Sequence, residues 1–179
     1  MGRQEQTNHL FSNRDLRILL VPLIVEQILN SLMGTADSIM VSNVGSAAIS
    51  AVSLVDSINI LVIQAFYALA AGGTIVCSQY IGQKDKKNAE ESARQLSFVV
   101  ACISSAVMAV CLLTRGPLLR LIFGSVEADV MEAAQIYFFY TVLSFPFIAL
   151  YDAGSSIYRA QGNTRLPMTI AVVSNGLNI

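Results

Sequence analysis

The sequence predicts an all-α membrane protein, a polytopic bundle of transmembrane helices. Three observations carry that prediction. Hydrophobic residues make up 54% of the 179 positions and charged residues only 13%, against roughly a quarter charged in a soluble globular domain. Mean hydropathy is +0.60. The apolar residues are also gathered into long runs, and a helix needs roughly 20 of them to cross a bilayer. The formal net charge of −1 excludes nucleic acid as a partner, because phosphate binding needs a clustered basic excess. The partner that composition demands is the lipid bilayer.

Residues 1–15 read as a polar cytoplasmic tail ending in "SNRD", with Ser12 or Asn13 as candidate helix cap. The apolar run behind it is too long for a signal peptide and no small-residue cleavage site closes it. Residues 16–179 then hold five apolar segments, predicting helices at about 16–41, 51–80, 95–114, 133–158 and 166–179. The first four are long enough to span, some with room to tilt or kink. The fifth has the length of half a transmembrane helix. It sets the expectation that the chain is the amino-terminal piece of a longer protein, because an unfinished helix leaves backbone groups unsatisfied in lipid.

Pro22, Pro146 and Pro167 lie within or at the start of these segments. A proline there frees a carbonyl, which a neighbour or a cavity must satisfy. Ala71, Gly72 and Gly73 are small enough to allow close helix approach. The loops predict orientation. Arg3, Arg14 and Arg17, then Lys84, Lys86, Lys87 and Arg94, then Arg159 and Arg165 fall on one side, nine of the eleven basic residues. The positive-inside rule makes that side cytoplasmic, with the amino terminus inside.

Few residues offer chemistry. Cys77, Cys102 and Cys111 are odd in number, sit in apolar runs and have no ligand spacing, so they read as small buried hydrophobes. The only histidine, His9, lies in the tail. Four carboxylates fall within or at the edge of the spans: Glu26, Asp37, Asp56 and Asp152. Each would cost at least ~2.5–3.5 kcal/mol at the bilayer centre, so each is a functional candidate. Asp56 and Asp152 lie near helix ends and read first as structural, Asp152 within reach of interfacial water or of Arg159 seven residues on. Glu26, Asn30, Met33 and Asp37 fall at offsets of 0, 4, 7 and 11, one stripe of the first helix with its acids about 16 Å apart. That separation is too long for paired acid–base chemistry and suits the lining of a water-filled cavity. A carboxylate there can take a proton, or ligate sodium, a hard cation that prefers oxygen.

These residues resemble a known family. "VPLIVEQILNSLMGTADSIMVSNVGSAAISAVSL" is similar to the first helix and following loop of MATE (multidrug and toxic compound extrusion) transporters of the MOP flippase superfamily, including Pro22 placed fifteen residues before Asp37. "GGTIVCSQYIGQKDKKNAEE" resembles the end of their second helix and its cytoplasmic loop. "FPFIALYDAGSSIYRAQGNTRLPM" resembles the fourth helix and its loop motif, here Pro146, Arg159, Gly162, Thr164, Arg165, Pro167 and Met168. The resemblance implies an efflux antiporter in the cytoplasmic membrane, with twelve helices in two six-helix lobes. Proton or sodium entry would drive export of bulky, often cationic drugs. This chain would supply four helices of the amino-terminal lobe and the start of the fifth; the carboxyl-terminal lobe would be its partner. Asp37 maps onto the family's cation or proton site, Asn178 onto its first fifth-helix ligand, and the next ligand would lie three positions past Ile179. Pro22 maps onto the point where the first helix bends. Glu26 falls outside the site pattern and would add a second acidic handle. No cofactor is implied, and no metal beyond a sodium ion at Asp37.

Two rivals define the discriminating features. A lipid-linked oligosaccharide flippase of the same superfamily would carry cations in its cavity, whereas these spans show acids and no internal lysine or arginine. An intramembrane aspartyl protease would use a Tyr-Asp pair, which Tyr151-Asp152 matches, but its Gly-x-Gly-Asp partner is missing. Neither GxSxG nor HExxH is present. The chain is expected not to be an enzyme.

Overall fold

The computed structural model describes residues 13–124 and 126–178, with the backbone alone described at Asn13, Asp15 and Asn178. Five helices follow one another: α1 Asn13–Ser42, α2 Ser46–Gly82, α3 Lys86–Phe123, α4 Ala128–Ala160 and α5 Arg165–Asn178. The first four are long and apolar enough to cross a membrane. Each runs past the apolar stretch that predicts it, because polar residues outside lipid extend a helix once its capping is satisfied. At the start of α3 the Asp85 carboxylate accepts the Asn88 amide at 3.2 Å, nine residues ahead of the apolar run. The same helix continues through Pro117 to Phe123, so the apolar run ending at Thr114 understates it by more than two turns. Asp56 consequently lies three turns inside α2 rather than near its end. Of the two candidate caps, Ser12 lies outside the described residues and Asn13 opens α1.

The core is a three-helix pack of α2, α3 and α4. Phe66 of α2 and Phe145 of α4 meet edge to face at 5.9 Å, with Val55, Val100, Phe138 and Val142 fully buried around them. Buried alanines at 51, 70, 149 and 153 keep the backbones close, the packing that works in lipid, where burial alone gives no hydrophobic gain. Of the small residues in the second segment, Gly73 is the one that packing requires: a Cβ there would run into the Leu96 side chain, while Gly72 faces open space. Large apolar side chains such as Leu113, Leu121 and Phe147 point outward, as a lipid-facing surface demands.

α1 stands apart from this core and packs chiefly on α5. α5 turns Pro167, Ala171 and Asn175 inward, four residues apart on one face. No described Cα of α1 comes within 8 Å of one in α4. A gap is therefore left between the α1–α5 pair and the α2–α4 pair.

Candidate functional site

The gap is a cleft of about 790 Å³. Three charged side chains line it: Glu26 from α1, and Asp152 and Arg159 from α4. Two acids to one base leave a formal charge of −1. Gln27, Asn30 and Gln64 add amides, and Tyr67 and Tyr151 add aromatic faces. Leu20, Leu23, Ile24 and Ile63 make the apolar wall.

Glu26 is the deepest of these groups, with its side chain 5% exposed. Its Oε1 accepts from Arg159 Nη2 at 2.6 Å, a short, charge-assisted bond. The pairing is incomplete. Among the described residues Glu26 Oε2 and Arg159 Nε are both buried without a hydrogen-bond partner, so one bond forms where the guanidinium fork allows two. Asp152 lies within electrostatic reach of both Arg159 and Glu26. It sits seven residues before Arg159, 20° short of two full turns, and so on the same face of α4. Arg159 therefore pairs with the distant acid rather than the one on its own helix. The spans do contain an internal cation, contrary to the sequence expectation, because a long side chain at the end of α4 reaches inward.

The loop motif holds α1 at a second place. Pro22 lies inside α1 and lacks an N–H, so the carbonyl four residues earlier, Ile18 O, loses its helical donor. Buried Thr164 sits opposite, and its Oγ1 donates to Ile18 O at 3.4 Å, long for a hydroxyl bond but aimed at the carbonyl Pro22 releases. Gly162, φ +77°, makes the turn from α4 to α5 that brings Thr164 there, a backbone state that disfavours a side chain. Pro167 is buried in the first turn of α5, where a missing N–H costs nothing. Arg165 is exposed at the start of α5.

The α1 stripe divides. Glu26 and Asn30 line the cleft, whereas Asp37 is exposed at the far end of the helix. Asp37 lies in electrostatic range of Tyr137, whose hydroxyl donates to Asp56 Oδ1 at 3.1 Å. Asn59 Nδ2 donates to the same oxygen at 3.3 Å. Asp56 is thus fixed by one hydrogen bond from α4 and one from within α2, a structural role. Tyr137 and Asn59 carry no motif that would single them out in the sequence. Asn178 ends α5, with its side chain outside the described residues. Phe139 and Tyr140 pack edge to face at 5.4 Å away from the cleft, while Gln64 and Tyr67 line it. Among the described residues no group of three or more His, Cys, Asp or Glu is arranged to hold a metal ion.

Four membrane-length helices with a ligand-sized, acidic cleft among them define a polytopic membrane protein. The MatE family profile matches residues 22–179, and the chain belongs to that family of transporters. This sets aside the protease alternative. An uncharacterized transporter of Bacillus subtilis, YisQ, is 33% identical over 176 residues, which cover 98% of this chain and 37% of that protein. The probable multidrug resistance protein NorM of Thermotoga maritima is 26% identical over 166 residues, covering 93% and 35%. The chain thus spans little more than a third of the length of these relatives. A solved structure of a MOP superfamily transporter from Pyrococcus furiosus shares the fold, with TM-score 0.85 at 22% identity over 92% of this chain and 36% of that one.

Proposed function

We propose that the chain forms the larger part of the amino-terminal lobe of a cation-coupled efflux antiporter. Its substrates are bulky, often cationic organic compounds, exported by alternating access across the cytoplasmic membrane. The amino terminus and the Arg159–Arg165 loop face the cytoplasm, by the positive-inside rule, and a carboxyl-terminal lobe of the same protein completes the path. The observation that carries this reading is the cleft. It is large enough for a drug-sized molecule, lined by amides and aromatics, and net negative because its one arginine is already matched by Glu26. That excess acid favours a cationic substrate over the pyrophosphate-linked lipid a flippase moves.

Asp37 is the coupling site in this reading, with Asn178 contributing from α5 and H⁺ or Na⁺ as the ion. Neutralising Asp37 removes a charge beside the Tyr137–Asp56 pair and biases α1 between two states, which is what a coupling ion must do. Drug-hypersensitive cells expressing the full-length protein test it, in sodium and sodium-free media. Asp37→Asn should abolish resistance in both while membrane expression is unchanged. Retained resistance refutes the assignment.

A further inference from the structure

α1 is held on both sides of Pro22 by residues of one short segment. Four residues before the proline, Ile18 O accepts from Thr164. Four residues after it, Glu26 accepts from Arg159. Between these anchors the helix has lost one hydrogen bond to the proline ring, so this is where it bends most easily. The two anchors differ in kind. The Thr164 bond fills a vacancy the proline creates and is local to the α1–α5 pair. The Glu26–Arg159 bond crosses the cleft and pairs charges from two different helices.

Taking both charges out of water offsets much of their attraction, so a buried pair is near neutral in net stability unless its remaining hydrogen-bonding groups are satisfied. Here Oε2 and Nε are left over. A pair with this balance is a poor permanent brace and a good releasable one. Its replacement is at hand: Asp152 lies on the same face of α4, and an arginine on a helix leans toward the amino-terminal turns, where Asp152 is.

We propose that the α4–α5 segment is a brace that keeps α1 straight across Pro22, and that Arg159 is a positioning residue shared between two acids. Paired with Glu26, it ties α1 to α4 and restricts access to the cleft from its cytoplasmic end; paired with Asp152, it frees α1 to bend. Glu26 Oε2 then faces the cleft as the acceptor for whichever donor enters. The inference rests on the cleft being the transport path. Its test reads access to the cleft rather than drug export, so failure of one does not imply failure of the other.

The test uses the full-length protein without native cysteines, carrying Gln64→Cys in the cleft wall, labelled from the cytoplasmic face with a membrane-impermeant maleimide. Glu26→Gln, which cannot hold Arg159 by charge, should raise the labelling rate about tenfold, equivalent to ~1.4 kcal/mol of lost closure. Asp152→Asn leaves the described pair intact and removes the alternative seat, so it should slow labelling. A Glu26→Gln rate within about twofold of the parent, too small to count as a shift of state, overturns the brace. So does an Asp152→Asn rate equal to or faster than the parent. Should Glu26→Gln fail to fold, the Asp152→Asn rate decides alone.

Discussion

The pairing of Thr164 with a carbonyl released by Pro22 gives a double-mutant cycle whose sign is fixed in advance. Thr164→Val keeps the shape of the side chain and removes its only donor. Ile18 O is then left without either its helical N–H or the hydroxyl. A fully buried carbonyl left unsatisfied costs about 1–3 kcal/mol; Ile18 is 44% exposed and the bond is long at 3.4 Å, so the cost here is at the lower end, about 1 kcal/mol or less. In a Pro22→Ala background residue 22 regains its N–H and donates to Ile18 O within the helix. Thr164→Val should then cost less than about 0.5 kcal/mol, the margin within which independent sites add. The assay is thermal unfolding of purified full-length protein in detergent. A loss of about 1 kcal/mol lowers the midpoint of the amino-terminal lobe's transition by roughly 2–4 °C when that lobe unfolds as one domain of 150–250 residues, and the effect should all but vanish with Pro22→Ala. Equal shifts in both backgrounds would refute the claim that Thr164 serves the proline.

Arg159→Met leaves the Glu26 carboxylate buried and uncompensated, and should cost about 3–5 kcal/mol, whereas Arg159→Met combined with Glu26→Leu should return close to parental stability; the same unfolding assay separates them. Gly73→Val drives a side chain into Leu96 at the α2–α3 contact and should cost about 1–3 kcal/mol by overpacking, while Gly72→Ala, in open space, should be neutral or mildly stabilising in expression and midpoint. Gly162→Ala forces a Cβ into the left-handed region at φ +77°; it should cost about 1–2 kcal/mol and weaken both motif contacts to α1, read as faster proteolysis at the α4–α5 turn.

The spans were legible because lipid imposes one rule along the whole chain, that about 20 residues in a row must be apolar. Their ends were not, since capping by Asp85 and the persistence of α3 through Pro117 depend on local bonds that hydropathy ignores. The proline logic was half legible. Pro22 announces that Ile18 O needs a donor, but nothing in the spacing says that it comes from Thr164, 146 residues away. The same limit hid the ion pair. Arg159 has a carboxylate seven residues off on its own helix face, and local reasoning joins those two. The fold places Glu26 closer, because α1, packed on α5, faces the end of α4 across the cleft and the long Arg159 side chain spans it. Of the α1 stripe, helical periodicity placed Glu26 and Asn30 on the face that lines the cleft, but Asp37 emerges beyond it.

The 133-residue separation of Glu26 from Arg159 also sets a schedule for biogenesis. A ribosome adding 5–20 residues per second needs roughly 7–27 s to make the second partner after the first. During that interval α1 is already in or beside the bilayer, its α5 neighbour does not yet exist, and an ionised Glu26 would face hydrocarbon at a cost of several kcal/mol. The nascent helix must therefore wait with that carboxyl shielded by the insertion machinery or held at the interface. Substitutions that leave the finished transporter sound can still reduce its yield by lengthening that wait.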